Sequence, residues 1–531
     1  MTASPADARE PALPLPAEPQ NARRAAPVSP LVRLVVFAGG FSSLGAELAC
    51  SRLIAPYFGS STFIWATIIG ITLAFLSLGY WLGGPAVGVA AAVAIGLIPL
   101  IARPILSLSL DAFARYDVGA FYGSLVAVLL LLAFPVTLLG FVTPYAIRLE
   151  LDSVSSAGNT AGSIYALSTV GSIAGSFLPV LLLIPRLGTA RTFLVLALAL
   201  LIPSIIGLAA SRAAAPALLA AAGAALLPFA AAAAGAGGIR PPDRGELLHE
   251  RESSYNYIQV VRQDGRNLLI LNDGHAVHSV YDPDPASLLT GGPWDYFMAA
   301  PLVVDGAGPG TLDRTMFVGL AGGTAARQIS AAWGPIPIDG IEIDPEVAEI
   351  GREYFGLDDL ANVAVLVGDG RYLLRTSDER YGLIGVDAYR QPYIPFQLTT
   401  REFFAEVRDR LTPDGVAVVN VGRTVTDFRL VDTIASTMRA VFDHVYVIDV
   451  GRYMNTMVIG TNAPSSLDNI AAGAARFPAD SPIREVAGWI TADGNPRLQP
   501  DGGVVFTDDH APVEQVIDSI ILDAAREVTA P

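Results

Sequence analysis

Four apolar runs in the C-terminal half of the chain end on residues that can approach, bind or deprotonate a ligand. MFVGLAGGTAARQ places Gly319, Gly322 and Gly323 between a strand and a helix, where missing side chains let the backbone come close to a bound group. Glu342 ends the next run, 19 residues after Gly323, the spacing at which an acid grips the two hydroxyls of a ribose. Asp369 and Gly370 follow the third run in VLVGDGRYLL, where a carboxylate can accept from an adenine amino group. Asp387 ends the fourth, in LIGVDAYRQPYIPFQLTTREFF, placed to hold or deprotonate a nucleophile beside the nucleoside. Taken singly, each feature is also explained by a tight turn or a helix cap. Their order and spacing together point to a nucleoside pocket, and the turn lacks the GxGxxG of a dinucleotide site.

The elements that must position these residues alternate in the βαβ manner. TMFVGLA, IDGIEID, VAVLVGD, YGLIGVDAY and GVAVVNV read as strands separated by helices, and VYVIDV with MNTMVIGT reads as a closing hairpin. A parallel, Rossmann-like sheet is therefore predicted over residues 291–531, with ligands at the carboxyl ends of its strands. Ahead of it, YNYIQVVRQDGRNLLILNDGHAVHSVY alternates around Asp264-Gly265 and Asp273-Gly274, which predicts a small antiparallel sheet within residues 245–290.

The remainder of the chain belongs to another solvent. Of 531 residues, 52% are hydrophobic and 16% charged, and the mean hydropathy is +0.47, too apolar for a water-soluble enzyme. The excess lies between residues 31 and 237, where about seven candidate spans fall near 32–54, 63–83, 85–108, 119–141, 161–184, 191–211 and 215–236. Residues 1–30, rich in Pro and Ala without periodicity, read as a disordered tail. Glu47 and Arg52 in the first span admit two readings, a boundary role with Arg52 snorkelling to water or a transport role. Gly162, Gly171 and Gly175 would let helices approach closely. A formal charge of −16 with no basic run beyond Arg23-Arg24 argues against nucleic acid. The lone Cys50 excludes an intrachain disulfide and a cysteine zinc cluster.

ESSYNYIQV, GLAGG, IEIDPEV, VGDGRYLL and the DAY…P…LTTREFF loop resemble the spermidine synthase family of aminopropyltransferases. GAELACSRLIAPYFG and IYALSTVGSIAGSFLPVLLLIPRLG resemble its membrane-fused bacterial members, so the likeness runs from about residue 31 onward. The resemblance implies decarboxylated S-adenosylmethionine, or S-adenosylmethionine itself, as co-substrate without a metal. It also implies an amine acceptor and release of methylthioadenosine. It assigns Glu342 to the ribose, Asp369 to the adenine and Asp387 to the attacking amine. Gly319, Gly322, Gly323, Thr324 and Gly370 would complete the donor side, and Tyr255, Asn256, Asp295, Tyr389 and Arg390 the acceptor side.

Four departures accompany the likeness. Thr324 stands where the family's first turn carries an Asp that contacts the aminopropyl amine. Arg390 replaces a second Asp three residues after the base, Tyr255-Asn256 replaces a Tyr-Gln pair, and Trp294-Asp295-Tyr296 replaces Tyr-His-Glu. The nucleoside half of the pocket is kept and the amine half is rewritten. Three function classes follow: a membrane-anchored aminopropyltransferase, another alkyl or methyl transferase using S-adenosylmethionine, and a transporter or sensor that binds without turnover. Because S-adenosyl compounds are cytoplasmic, the soluble part is expected in the cytoplasm of a multi-pass inner-membrane protein. The lipid bilayer and a small acceptor are its expected partners, and a homodimer stays open.

Overall fold

The computed structural model describes residues 29–529 apart from 59–61, 83–86, 115–118, 152–153, 211–222, 224–238, 273–275 and 391–392. Most of the expected N-terminal tail, nearly all of the seventh span at 215–236, the Asp273-Gly274 turn and Pro392 fall outside the described residues.

Apolar sequence and length produce the first half. Helices α1 (Pro30–Phe58), α2 (Thr62–Leu82), α3 (Val87–Ala114), α4 (Gly119–Gly140), α5 (Val142–Glu150), α6 (Ala157–Leu178) and α7 (Thr189–Ala210) form a bundle. Among the described residues six helical stretches are long and apolar enough to cross a membrane. They coincide with the first six expected spans, α4 and α5 together making one stretch, Tyr122–Glu150. The bundle core is apolar, and the outside is too: Leu73, Phe134, Phe177 and Leu181 are all exposed. Such an exterior suits lipid rather than water. Helices α1 and α6 touch backbone to backbone because a Cβ on Gly171 or Gly175 would lie 2.2 or 2.3 Å from the Phe37 or Phe41 carbonyl. Gly162 has open space around it and takes no part in this contact.

The second half holds two sheets. Strands β1 (Glu246–Glu252), β2 (Tyr257–Gln263), β3 (Arg266–Leu271) and β4 (Val277–Tyr281) make an antiparallel sheet in sequence order. Three of these were legible. The charged ELLHERE of β1 was not, because its acids are spent on contacts that local pattern cannot show. Glu252 accepts from the Thr189 backbone N–H at 2.8 Å and hydroxyl at 2.6 Å, at the start of α7, and Glu250 accepts from the Ile239 and Arg240 backbone N–H groups. A carboxylate at a helix N-terminus is favoured by the unpaired N–H groups there. The guanidinium of Arg52, at the end of α1, donates to the Ser254 carbonyl. Glu47 is buried inside the bundle. Arg52 thereby docks the small sheet on the helices.

The larger sheet runs β12-β10-β11-β9-β8-β5-β6-β7. Its parallel part is β5 (Thr315–Val318), β6 (Ile338–Glu342), β7 (Val363–Val367), β8 (Tyr381–Val386) and β9 (Leu411–Gly422). The antiparallel hairpin β10 (His444–Asp449) and β11 (Asn455–Thr461) extends it, and β12 (Arg497–Leu498) completes the edge. The chain moves outward from β5 through β6 to β7, then returns to place β8 on the other side of β5. That reversal opens a crevice beyond the carboxyl ends of β5 and β8, where ligands bind in such sheets.

Candidate active site

A cavity of about 720 Å³ opens at this reversal, within the range of small-molecule sites. Gly319, Glu342, Asp369, Gly370, Asp387, Tyr389, Arg390, Tyr255 and Asn256 all line it. A second cavity of about 430 Å³ shares Asp387, Tyr389, His278 and Ala321 with the first. Asp387 thus stands at the junction of two spaces.

Gly319 follows β5 at φ +94, and a Cβ there would sit 2.3 Å from the Asp387 carbonyl oxygen. The backbone turn and the acid are packed as one unit that only glycine permits. Gly319→Ala is expected to destabilise the protein by more than about 1 kcal/mol and to displace Asp387. Thermal unfolding in detergent checks it, and an unchanged midpoint would rule the packing argument out.

Glu342 ends β6 with both oxygens engaged by backbone: Oε2 accepts from Ala321 N at 2.9 Å and Oε1 from Asp344 N at 3.1 Å. A carboxylate has about four acceptor positions, so two remain for ligand hydroxyls. Burial pushes the Glu342 pKa up to about 7 against the pull of those N–H groups. Asp369 caps the helix α11 (Gly370–Thr376), its Oδ1 accepting from Tyr372 N at 2.9 Å. The same side chain lines the cavity, so capping and ligand contact are not exclusive.

Asp387 sits between partners that the sequence reading passed over. Asn420, near the end of β9, donates its Nδ2 to Asp387 Oδ1 at 2.9 Å, and Asn455 of β11 donates to Asn420 Oδ1 at 2.9 Å, which fixes that amide's orientation. Trp294 also donates to the acid. Burial pushes Asp387 up to about 6, while the Asn420 and Trp294 hydrogen bonds pull it down. Near neutral pH it is ionised yet a better proton acceptor than an exposed aspartate. The Tyr389 hydroxyl donates to the Asn420 carbonyl at 2.9 Å and accepts from Gly422 N at 2.8 Å. Burial and the Asp387 charge push its phenol up, so it stays protonated. His278, on β4, lines both cavities, and its Nε2 has no partner among the described residues. Burial holds its pKa down at about 4, which keeps the ring neutral.

Four expected positions lie elsewhere. Thr324 begins the helix α9 (Thr324–Trp333) with its hydroxyl donating to the Val280 carbonyl and accepting from Val280 N, both at 2.9 Å. It fastens β4 to α9 and does not line the cavity. Gly322 and Gly323 are likewise outside the lining, Gly322 N donating to Ser279 Oγ. The residue this turn presents to the cavities is Ala321, at φ +49. At that position the turn offers a methyl group and no acid. Asp295, in the helix α8 (Pro293–Ala299), is fully buried. It accepts from Thr290 N and Oγ1, Gly291 N and Gln328 Nε2, which leaves it structural. Its neighbour Trp294 is the one that lines the second cavity.

On the small-sheet side, Asn256 lines the cavity but donates Nδ2 to Asp344 Oδ2 at 2.8 Å and accepts from Asn272, so much of its capacity is committed. Tyr255 is exposed at the cavity's edge. Arg390 and Glu402 do not pair: Glu402 binds Arg401 and the Asp508 N–H. Arg390 is exposed on the cavity wall with no hydrogen bond or ion pair from its guanidinium to any described residue. Asp508 accepts from Arg371 and from Thr400 Oγ1, which pins the C-terminal segment against the loop after Asp387. Glu514 and Gln515 from the helix α16 (Val513–Thr529) then close one side of the larger cavity.

The Spermine/spermidine synthase domain family matches residues 301–466, which include the four strand ends. The "Probable polyamine aminopropyl transferase" of Bifidobacterium longum is 34% identical over 300 residues, 52% of this chain and 65% of its own length. This chain therefore spans just under two thirds of that relative. The "Polyamine aminopropyltransferase" of Vibrio vulnificus is 29% identical over 218 residues, 40% of this chain and 71% of its own. An "eEF1A lysine and N-terminal methyltransferase" of Bos taurus is 28% identical over 143 residues, 25% of this chain and 20% of its own. Residues 301–466 therefore carry a spermine/spermidine synthase domain across the strands that build the crevice, and the chain is similar to polyamine aminopropyltransferases.

Proposed function

We propose that the protein is a membrane-anchored transferase that moves an aminopropyl group from decarboxylated S-adenosylmethionine to a small amine. The single observation that carries this reading is Asp387, a part-buried acid of raised pKa at the junction of a nucleoside-sized cavity and a second cavity. Glu342 accepts from the ribose hydroxyls with its two remaining positions, and Asp369 accepts from the adenine amino group. The acceptor nitrogen forms its bond to the aminopropyl carbon beside the sulfonium. The carbon–sulfur pair returns to sulfur as methylthioadenosine leaves, and Asp387 takes the proton from nitrogen. Neutral His278 and protonated Tyr389 contribute hydrogen bonds without competing for that proton. The helices anchor the domain in the bilayer, with the catalytic part on the cytoplasmic side where the donor is found.

A second reading, methyl or other alkyl transfer from intact S-adenosylmethionine, is favoured by Ala321, since the turn carries no acid to hold a donor ammonium. Calorimetry of the full chain in detergent with both forms of the nucleoside separates the two. Tighter binding of the decarboxylated form, with methylthioadenosine released on addition of an amine, is the expected result. Preference for the intact form together with S-adenosylhomocysteine as product would overturn the aminopropyl reading.

A further inference from the structure

The second cavity restricts which amines can reach Asp387. Among the described residues that line it, Asp387 alone carries a carboxylate, whereas Arg244 and Arg423 carry guanidinium groups. Arg423 is held firmly: Nε donates to Thr456 Oγ1 at 3.1 Å, Nη1 to the Thr424 carbonyl at 3.0 Å, and the group lies 4.8 Å over the Phe428 ring. Neither bond uses Nη2. The nearest carboxylate, Asp449 at 3.9 Å, is shared with Arg497 at 3.1 Å, so it does not neutralise Arg423 alone. Arg244 is exposed and makes no hydrogen bond or ion pair with a described residue. On the other side of Asp387, Arg390 lines the larger cavity, also unpaired among the described residues. The larger cavity also carries the carboxylates of Glu342, Asp369 and Glu514, so it is the approach through the second cavity that is cationic.

We infer that the acceptor is a primary amine that also carries an anion, a carboxylate or a phosphate, with its nitrogen at Asp387 and its anion at Arg423 and Arg244. The inference rests on the aminopropyl reading above. A diamine is protonated at both ends in neutral water. Its second ammonium, held by no described carboxylate of this cavity, would meet a guanidinium, a repulsion worth about a hundredfold in affinity at ~5 Å and an effective dielectric of ~20. An anionic amine reverses the sign of that term, and the planar guanidinium fork of Arg423 suits either oxyanion. No charge is then left without a counterpart in the cavity: one carboxylate meets one ammonium, and the arginines meet one anion.

The test uses the full chain in detergent, the decarboxylated donor, and methylthioadenosine release with 4-aminobutyrate, O-phosphoethanolamine and 1,4-diaminobutane as acceptors. At least one anionic amine is expected to exceed the diamine tenfold or more in kcat/KM, and the better of the two tells carboxylate from phosphate. Arg244→Glu, on an exposed residue, and Arg423→Met, which keeps the stem over Phe428, each lower that value for the anionic amine about tenfold, mainly through KM, and raise it for the diamine. A diamine preferred by the unaltered protein, with a ratio that neither variant moves, overturns the inference and leaves aminopropyl transfer standing. Release with none of the three amines overturns both.

Discussion

Asp387→Asn lowers the rate of methylthioadenosine release by about 10²–10⁴-fold, the range in which a positioned general base contributes, while binding of the nucleoside stays within a few-fold. The amide preserves the shape that Asn420 and Trp294 hold but cannot take the proton. The pH profile of the unaltered protein supplies an independent readout. With Asp387 pushed up to about 6, the base is lost as pH falls through that value, so kcat/KM falls on the acid side of pH 6 and levels above it. His278, held down at about 4, adds no step in this window. Turnover unchanged in the Asn variant would exclude Asp387 as the base.

Glu342→Gln weakens donor binding by roughly tenfold to a hundredfold, the worth of hydrogen bonds to a charged acceptor, and at the same time stabilises the protein at high pH. The sign follows from the direction of the shift. Glu342 has a folded-state pKa of about 7 against an ordinary 4.5, so the folded protein holds this proton more tightly than the unfolded chain. Its contribution to stability is complete below pH 4.5 and is lost as pH rises through 7. At pH 8 the buried ionised carboxylate costs on the order of 1–3 kcal/mol, which glutamine relieves. The gain shrinks as pH is lowered to 5. Calorimetric affinity and thermal unfolding at the two pH values check both halves. A variant less stable at pH 8, or one that binds the donor as tightly as the parent, contradicts the assignment of a stability cost accepted for binding.

Local pattern was sufficient wherever the physics is local. Short, mostly apolar runs bounded by turn residues, TMFVG, IDGIE and YGLIGV, specify strands buried on both faces, and a strand end places Glu342, Asp369 and Asp387 at one edge of any parallel sheet these strands form. Apolar length alone defines the six stretches able to cross a bilayer, because no other pattern leaves so much apolar surface unburied. The closing hairpin and three strands of the small sheet follow from runs of the same kind.

Tertiary structure decided everything that depends on how a turn is aimed or on residues distant in the chain. Ala321 lies in the five-residue turn 319–323 and Thr324 begins the helix that follows, and spacing cannot tell which faces the ligand; a left-handed Ala321 and a Thr324 hydroxyl bound to β4 settle it. Asp295 was expected on the acceptor side from the resemblance, but its loop folds back on it and uses up its oxygens. Asn420, Asn455, Trp294 and His278 meet around Asp387 only because β4, α8, β9 and β11 converge on the crevice. For Arg390 the sequence alone determined its place three residues after Asp387, within reach of either Glu402 or the cavity. Only the fold turned Glu402 toward Arg401 and left the guanidinium on the cavity wall. The physical reason is the same throughout: residue type and spacing fix what a side chain can do and along which element it lies, whereas its partners are set by contacts between elements far apart in the chain.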